Sequence, residues 1–272
     1  MSAPSFQSHP RQESPVQIHS TAVVSPNARM GANCRIGPYA VVGDEVILGD
    51  GVHIHGHSVI DGRTRIGDET EVFPFVSIGL PPQDLKFAGE PSETEIGRRN
   101  RIREFVTIHR GTLGGGGITK TGDDCFIMAQ AHIAHDCLLG NQVIMANAAT
   151  LAGHVTVADG ANIGAYSGVH QFCRVGREAY IGGYSVVVKD ALPFALTVGN
   201  HAKCYGLNKV GVRRRGYSRE TIAALHHAFH LLLSAKLNTT QALDRIREEV
   251  KNSTEVDELV RFVEDSQRGV VK

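Results

Sequence analysis

The chain has 272 residues, of which 42% are hydrophobic and 21% charged, an ordinary composition for a soluble protein of one or two domains. Its 28 basic and 28 acidic side chains cancel, so no overall field favours nucleic acid or a membrane surface as a partner. No apolar run approaches the roughly 18 residues of a membrane span, and the five cysteines lack disulfide or CxxC spacing, which predicts a cytoplasmic protein.

The chain begins with a polar segment, residues 1–17, that contains three prolines. This segment lacks the apolar centre of a signal peptide. We expect it to be a disordered N-terminal arm.

From Ile18 onward, an apolar anchor returns at nearly every sixth position, pausing after Ile78, resuming at Ile96 and ending at Val187. A barrel or sandwich strand would instead alternate with a period of two. The anchors are Ile18, Val24, Met30, Ile36, Val42, Leu48, Ile54, Ile60, Ile66, Val72, Ile78, Ile96, Ile102, Ile108, Thr121, Ile127, Ile133, Leu139, Met145, Leu151, Val157, Ile163, Val169, Val175, Ile181 and Val187.

A glycine often follows the anchor, and a small or β-branched residue often lies four positions after it. This pattern predicts a short strand followed by a corner in which the glycine adopts a positive φ. Three such units would close one triangular coil, and coils would stack at the inter-strand distance of about 4.8 Å. We therefore predict an all-β solenoid, a parallel β-helix of about nine coils, over residues 18–190.

Two segments interrupt the repeat. Residues 80–95 preserve its phase and carry Asp84 and Lys86, so we expect a loop that leaves the coil and passes over a neighbouring surface. Residues 113–120 shift the phase by one residue and contain four consecutive glycines, which predicts a second, flexible excursion.

After Val187 the repeat stops, and residues 191–272 are predicted to form a C-terminal loop and α-helical domain. Residues 197–215 lack a helical pattern, whereas apolar residues recur at helical spacing after Ser218 and again in two later segments. We expect the helices to cover the open end of the solenoid, which would otherwise expose unpaired strands.

Several candidate catalytic residues follow from this geometry. His135 and His154 are 19 positions apart, hence one coil apart near the same edge, and His170 and Gln171 follow one coil later. A histidine takes up a proton near neutral pH and so suits general-base catalysis, and Asp136 is placed to orient the ring of His135. The alternative for such outward histidines is a surface or subunit-contact role.

Metal binding is a further alternative that the residues leave open. Carbonic anhydrases of the hexapeptide class collect three histidines between subunits, but His132 and His135 are closer in sequence than their paired ligands, so we expect no metal at the site. His53, His55 and His57 point outward around Ile54, and we interpret them as solvated or interface side chains rather than a surface metal site. The same interpretation applies to the histidines at 226, 227 and 230.

Six motifs resemble the UDP-N-acetylglucosamine O-acyltransferase family, hexapeptide-repeat enzymes that begin lipid A synthesis. They are QDLKFAGEP (83–91), RNRIREFVTIHRGT (99–112), AHIAHDC (131–137), LAGHV (151–155), VHQFC (169–173) and GVRRRGYSRE (211–220). The resemblance implies a left-handed β-helix, a homotrimer with sites between neighbouring solenoids, and no cofactor. It covers nearly the whole chain from about Ile18.

The resemblance also implies the reaction and the roles of its residues. A 3-hydroxyacyl chain would pass from acyl carrier protein to the 3-hydroxyl of UDP-N-acetylglucosamine, with His135 as general base, Asp136 as its support and the Gly153 N–H at the oxyanion. Gly183 would leave room for a long acyl chain. The substrate-binding residues would be Asp84, Lys86, His132, His154, His170, Gln171, Asn208, Arg214 and Arg215.

Two other functions are alternatives to this one. An N-acyltransferase acting later in the same pathway carries a large domain before its solenoid, whereas this repeat begins at Ile18. A non-catalytic hexapeptide scaffold predicts that His135→Ala changes nothing beyond local stability.

Overall fold

The chain folds into a three-sided solenoid of short parallel strands. A computed structural model describes residues 15–233 and 236–272. Most of the expected N-terminal arm, residues 1–14, lies outside the described residues, whereas Gln17 already belongs to the first strand. Within the described residues, the strands form three sheets, here called A, B and C, with 11, 9 and 8 strands respectively.

The strands of the solenoid are mostly two residues long, with the anchor as the second residue. Before the first excursion they are β1 (Gln17–Ile18), β2 (Val23–Val24), β3 (Arg29–Met30), β4 (Arg35–Ile36), β5 (Val41–Val42), β6 (Ile47–Leu48), β7 (His53–Ile54), β8 (Val59–Ile60), β9 (Arg63–Ile66), β10 (Glu71–Val72) and β11 (Ser77–Leu80). Between the excursions they are β12 (Glu93–Ile96), β13 (Arg101–Ile102) and β14 (Thr107–His109). The rest are β15 (Ile118–Thr121), β16 (Phe126–Ile127), β17 (His132–Ile133), β18 (Leu138–Leu139), β19 (Ile144–Met145), β20 (Thr150–Leu151), β21 (Thr156–Val157), β22 (Asn162–Ile163), β23 (Gly168–Val169), β24 (Arg174–Val175), β25 (Tyr180–Ile181) and β26 (Val186–Val187). Two longer strands, β27 (Ala195–Gly199) and β28 (Ala202–Leu207), follow the solenoid.

Successive strands of the solenoid lie on sheets A, B and C in turn, so every third strand pairs in parallel with the one above it. Gln17 pairs with Arg35, for example, and His132 with Thr150, each 18 residues apart. The predicted inward direction of the anchors is confirmed, because those from Ile36 to Val187 are all buried. Ile18 is 47% exposed, since the described chain has no coil beneath it.

The corners between strands differ from the expected geometry. The positive φ falls mostly on the third residue after the anchor, as at Tyr39 (57°) and His154 (61°). Among the described glycines that directly follow an anchor, only Gly79 has a positive φ, of 79°. The other glycines serve close packing instead: a Cβ at Gly37 would lie 2.7 Å from the Gly56 backbone nitrogen of the next coil. Apart from Gly79, the expectation of a positive φ at these glycines was therefore wrong. At the other positions the neighbouring coil leaves no room for a side chain, and this close packing is the reason for a glycine.

Both excursions are shorter than the repeat predicted. Residues 93–95 and 118–120 belong to strands, because β12 pairs with β9 on one side and with β15 on the other over four residues each. Within the second excursion, Leu113–Gly115 form a turn of 3-10 helix. The apolar period misses these extensions because their extra inward residues are threonines.

The segment after the solenoid is more regular than the predicted loop. β27 pairs in parallel with β25 and antiparallel with β28, so this hairpin extends sheet A. The helices are α1 (Lys209–Arg214), α2 (Arg219–Leu233), α3 (Thr239–Glu249) and α4 (Thr254–Glu264), and the last three match the predicted apolar spacing. The loop assignment for residues 197–215 was therefore wrong, since a hairpin strand bordering both a sheet and a helix need not show one simple period.

The helices pack against the C-terminal end of the solenoid through a second apolar core. Arg177 of the last coils pairs with Glu258 of α4 at 2.6 Å, and Arg174 donates to the backbone oxygen of Phe262 at 2.8 Å. The expected covering of this open end is thus observed. Among the described residues, no helix combines the length and the apolar character needed to cross a bilayer.

Candidate active site

A three-sided solenoid has three edges, and the edge on which a residue lies determines which other residues it can contact. We call them the A–B, B–C and C–A edges, after the sheets they join. His135, Asp136, Gly153, His154 and Gln171 all lie on the B–C edge in three successive coils. The predicted convergence of these residues on one edge follows from the stacking of the coils.

At the centre of this edge, His135 and Asp136 form a hydrogen-bonded pair. His135 Nδ1 lies 2.7 Å from Asp136 Oδ2, and the side chain of Asp136 is completely buried. Asp136 has φ of 60°, so it occupies the left-handed corner position, where Asp is among the side chains best tolerated. An ionised carboxylate beside Nδ1 keeps the proton on that nitrogen and leaves Nε2 as the acceptor.

Thr112, just before the second excursion, and Gly115 within it hold the carboxylate of Asp136 in place. Thr112 donates its backbone N–H to Oδ1 at 2.8 Å and its hydroxyl to Oδ2 at 2.7 Å. A Cβ on Gly115 would lie 2.2 Å from Oδ2, so this glycine is required for the 3-10 turn to close over Asp136. Gly115 of the glycine run therefore packs on the site, which the expectation of a flexible excursion did not indicate.

Gly153 lies directly beneath the ring of His135. A Cβ at this position would be 2.6 Å from Cε1 and 2.8 Å from Nε2 of His135, so a side chain would displace the imidazole. The Gly153 N–H donates to no oxygen among the residues that the structure describes. A backbone donor beside the basic nitrogen is thus available to a bound substrate.

His154 forms the next layer of the edge. Its ring meets that of His135 edge-on at 5.0 Å between centroids and stacks on Phe172 at 4.3 Å. Burial lowers the pKa of His154, against the opposing effects of the Asp136 and Asp84 carboxylates.

Two more histidines lie beside this edge on the outer face of sheet B. His132 Nδ1 is 2.7 Å from Thr107 Oγ1, and burial, reinforced by the His135 charge, lowers the pKa of His132. His109 meets His132 edge-on at 5.1 Å, and burial lowers its pKa to about 4. His109 Nδ1 is buried and has no hydrogen-bond partner among the described residues.

The remaining residues on this side are accessible to solvent. Lys86 is exposed, and its backbone N–H donates to Asp84 Oδ1 at 3.0 Å, which fixes a turn in the first excursion. His170 and Gln171 are exposed, and Arg268 approaches His170 Nδ1 at 3.3 Å. These side chains border the edge without occupying its centre.

Four of the predicted site residues lie elsewhere on the chain. Gly183 is exposed on the A–B edge, where a Cβ would approach only the Ala165 backbone, at 3.3 Å from its oxygen. Asn208, Arg214 and Arg215 lie next to the C–A edge. Within one chain these four residues do not lie close to His135, because the three edges of the solenoid face different directions.

The residues near the C–A edge also have structural contacts. Asn208 accepts the Gly211 N–H at 3.0 Å as the N-cap of α1. Arg215 pairs with Glu178 at 3.1 Å and donates to Gln142 Oε1 at 2.6 Å. The side chain of Arg214 is exposed and makes no hydrogen bond or ion pair with any described residue, so its guanidinium is available for an anion.

Sequence reasoning missed Thr112, Gly115 and His109 as site residues. Thr112 and His109 fall inside the RNRIREFVTIHRGT motif, which was the available signal. Their roles depend on a loop folding back onto Asp136 and on two strands being adjacent. Neither relation is visible in local spacing.

Comparison with known proteins agrees with this geometry. A family model described as UDP-N-acetylglucosamine O-acyltransferase, domain 2, matches residues 190–271, and one for the bacterial transferase hexapeptide matches residues 27–62. The chain is similar to an acyl-[acyl-carrier-protein]–UDP-N-acetylglucosamine O-acyltransferase of Myxococcus xanthus. The two are 47% identical over 256 residues, which cover 94% of this chain and 99% of the relative.

Solved structures give the same result. A UDP-N-acetylglucosamine acyltransferase from Bacteroides fragilis is 39% identical with a TM-score of 0.92, covering 94% of this chain and all (100%) of that one. The corresponding O-acyltransferase from Moraxella catarrhalis is 40% identical with a TM-score of 0.90, covering 94% and 99%. The predicted fold, a left-handed parallel β-helix with a helical C-terminal domain, is confirmed.

Proposed function

The chain belongs to the UDP-N-acetylglucosamine O-acyltransferases, and from this premise we propose that it moves a 3-hydroxyacyl chain from acyl carrier protein to the 3-hydroxyl of UDP-N-acetylglucosamine. The reaction would take place in the cytoplasm as the first step of lipid A biosynthesis. The observation that carries the proposal is the buried Asp136 carboxylate, hydrogen-bonded to His135 Nδ1 at 2.7 Å.

His135 is the proposed general base. Its Nε2 takes the proton of the sugar 3-hydroxyl as the oxygen attacks the thioester carbonyl, and Asp136 stabilises the imidazolium that forms. The tetrahedral intermediate then collapses, the carbon–sulfur bond breaks, and His135 returns the proton to the departing thiolate of the carrier. The products are the 3-O-acylated sugar nucleotide and the free carrier thiol, with no cofactor consumed.

The oxyanion of the intermediate is proposed to bind the Gly153 N–H. This donor has no partner among the described residues, and Gly153 packs against His135, so the donor and the base lie on the same side of the reacting carbon. One correctly placed donor of this kind contributes a factor of about 10²–10³ in kcat.

The site is proposed to be shared between neighbouring chains of a homotrimer. His135 lies on the B–C edge, whereas Asn208, Arg214 and Arg215 lie near the C–A edge, so neither edge of one chain carries both the base and the cationic residues. In a closed ring, the B–C edge of one chain meets a different edge of the next. The arginines would then hold the nucleotide diphosphate through their guanidinium N–H groups.

The other substrate contacts are assigned to residues around the B–C edge. Asp84, Lys86, His132, His154, His170 and Gln171 are proposed to bind the sugar and the phosphate. Gly183, which has no side chain to shorten an acyl groove, favours a long hydroxyacyl substrate and is also proposed to act across the subunit interface.

The test is an acyl-transfer assay. Purified protein is mixed with UDP-N-acetylglucosamine and 3-hydroxyacyl carrier proteins of several chain lengths, and the products are identified by mass. Transfer that is strong in the wild type and reduced by about 10³-fold or more in His135→Ala supports the proposal. His57→Ala, an exposed histidine on the A–B edge, is the matched control and retains full activity.

Two results would contradict the proposal at different levels. Absence of transfer with every acyl length would refute the substrate assignment and favour a binding or scaffold role. Full activity in His135→Ala would support the proposed acyl transfer but refute the role of His135 as general base.

A further inference from the structure

A second group of potential ligand side chains lies on the outer face of sheet A, away from the B–C edge. His53 and His55 are two positions apart on and just after β7, so both side chains point out of the solenoid. β10 of the next coil pairs with β7 and places Glu71 directly opposite His53. The three side chains therefore come from two coils that are adjacent only in the fold.

The three side chains converge at close range. Glu71 Oε1 is 2.9 Å from His55 Nε2 and 3.8 Å from His53 Nδ1, and one ligand atom from each residue lies within 4.8 Å of the other two. The imidazole centroids are 3.8 Å apart, and His55 stacks on Phe73 at 5.0 Å. Phe73 and the backbone register thus orient the rings before any ligand arrives.

This donor set has the chemistry of a transition-metal site. Two imidazole nitrogens and one carboxylate oxygen suit zinc and its first-row neighbours, with bonds of about 2.0–2.2 Å. Ligand atoms bound at that length in a tetrahedron are about 3.3 Å apart, between the two distances observed to Glu71. The three side chains are only 22–33% exposed, which leaves room for water at the remaining position.

We propose that His53, His55 and Glu71 bind one divalent first-row transition-metal ion, with Zn²⁺ as the representative ligand. The ion links two successive coils of the solenoid and so acts as a structural clamp rather than a catalytic group. Arg35 and Arg101 flank the group on the neighbouring strands and oppose a cation, so the affinity is expected to be moderate. The proposal depends on none of the proposed catalytic residues.

The test uses the full-length protein without an affinity tag, stripped of metal by a chelator and titrated with Co²⁺ and then Zn²⁺. We expect visible Co²⁺ absorption bands that Zn²⁺ abolishes, and a melting temperature that rises with Zn²⁺. His55→Gln and Glu71→Gln each lose one equivalent of bound metal, or weaken it by about tenfold or more, and lose the thermal shift. Melting curves in EDTA show whether each variant remains folded.

Two control variants identify the site. His57→Gln changes the next outward histidine, which stacks on Tyr39 and Phe75 and lies outside the group, and it retains the metal equivalent. His135→Gln tests the other cluster in the described chain with three close donors, formed by His135, Asp136 and His154. It also retains the equivalent that the His55 variant loses.

Three results would overturn the proposal. The first is no binding tighter than about 100 µM in the wild type. The second is an unchanged equivalent in folded His55→Gln and Glu71→Gln. The third is loss of the metal in His135→Gln alone, which would assign binding to the active-site edge.

Discussion

Replacing Asp136 with asparagine tests the proposed base most directly, because it preserves shape and removes charge. The carboxylate accepts three hydrogen bonds, two from Thr112 and one from His135. An amide has only one accepting oxygen, so its NH₂ group must face one of these donors. If it faces His135, the imidazole moves its proton to Nε2 and can no longer act as a base.

The magnitude follows from these contacts. A wrong tautomer together with loss of charge stabilisation is expected to lower kcat by about 10³–10⁴-fold. The KM for the sugar nucleotide is expected to stay within about twofold, because the lost interaction acts in the transition state. One mismatched buried hydrogen bond costs about 1–3 kcal/mol of unfolding free energy, so the variant still folds.

The assay is steady-state acyl transfer combined with urea unfolding. Asp124→Asn is the matched control: Asp124 has φ of 58° at another corner, and its carboxylate pairs with Arg99 at the surface. This control is expected to keep full kcat and to lose less than about 1 kcal/mol of stability. If folded Asp136→Asn kept kcat within tenfold of the wild type, the proposed role of the carboxylate would be refuted.

Three further predictions address packing, pH and assembly. Gly153→Ala places a Cβ 2.6 Å from His135 Cε1, so kcat should fall by about 10²-fold or more while the fold persists; unchanged kcat would contradict the assigned contact. Since burial lowers the pKa of His109 from 6.5 to about 4, the unfolded chain takes up the proton first, and stability falls as the pH drops between these values. The loss is at most about 3 kcal/mol, measured by urea unfolding, and His109→Gln should reduce it. Mixed trimers of inactive His135→Ala and Arg214→Ala chains should recover about a quarter of wild-type activity, because some interfaces then combine intact edges; no recovery would argue against a shared site.

The sequence predicted the solenoid well because its main signal is periodic. An apolar side chain at every sixth position can be buried only if each coil repeats the previous one, so the anchors identified the strands without any long-range information. The helical segments of the C-terminal domain were predicted for the same reason. The hairpin at 195–207 was not, because its strands border both a sheet and a helix and show no single apolar period.

The candidate site was predicted only in part. Spacing placed His135, His154 and Gln171 on one edge, since residues about 18 apart lie one above another. Spacing did not reveal that Thr112 and Gly115 enclose Asp136, because the repeat is interrupted at the second excursion. The same spacing of 18 residues places Glu71 beside His53. An outward glutamate on a strand, however, carries no local signal that it could be a ligand.

The six-residue period by itself determined that this chain forms a stacked solenoid, because burying the anchors is a local requirement that each repeat meets in the same way. The tertiary structure alone decided which polar side chains the excursions and the C-terminal segment bring to these edges. It enclosed the Asp136 carboxylate between Thr112 and Gly115 of a loop that folds back, and it placed the histidines and the arginines on different edges. Such contacts depend on the three-dimensional path of the excursions and corners, for which six-residue spacing contains no information.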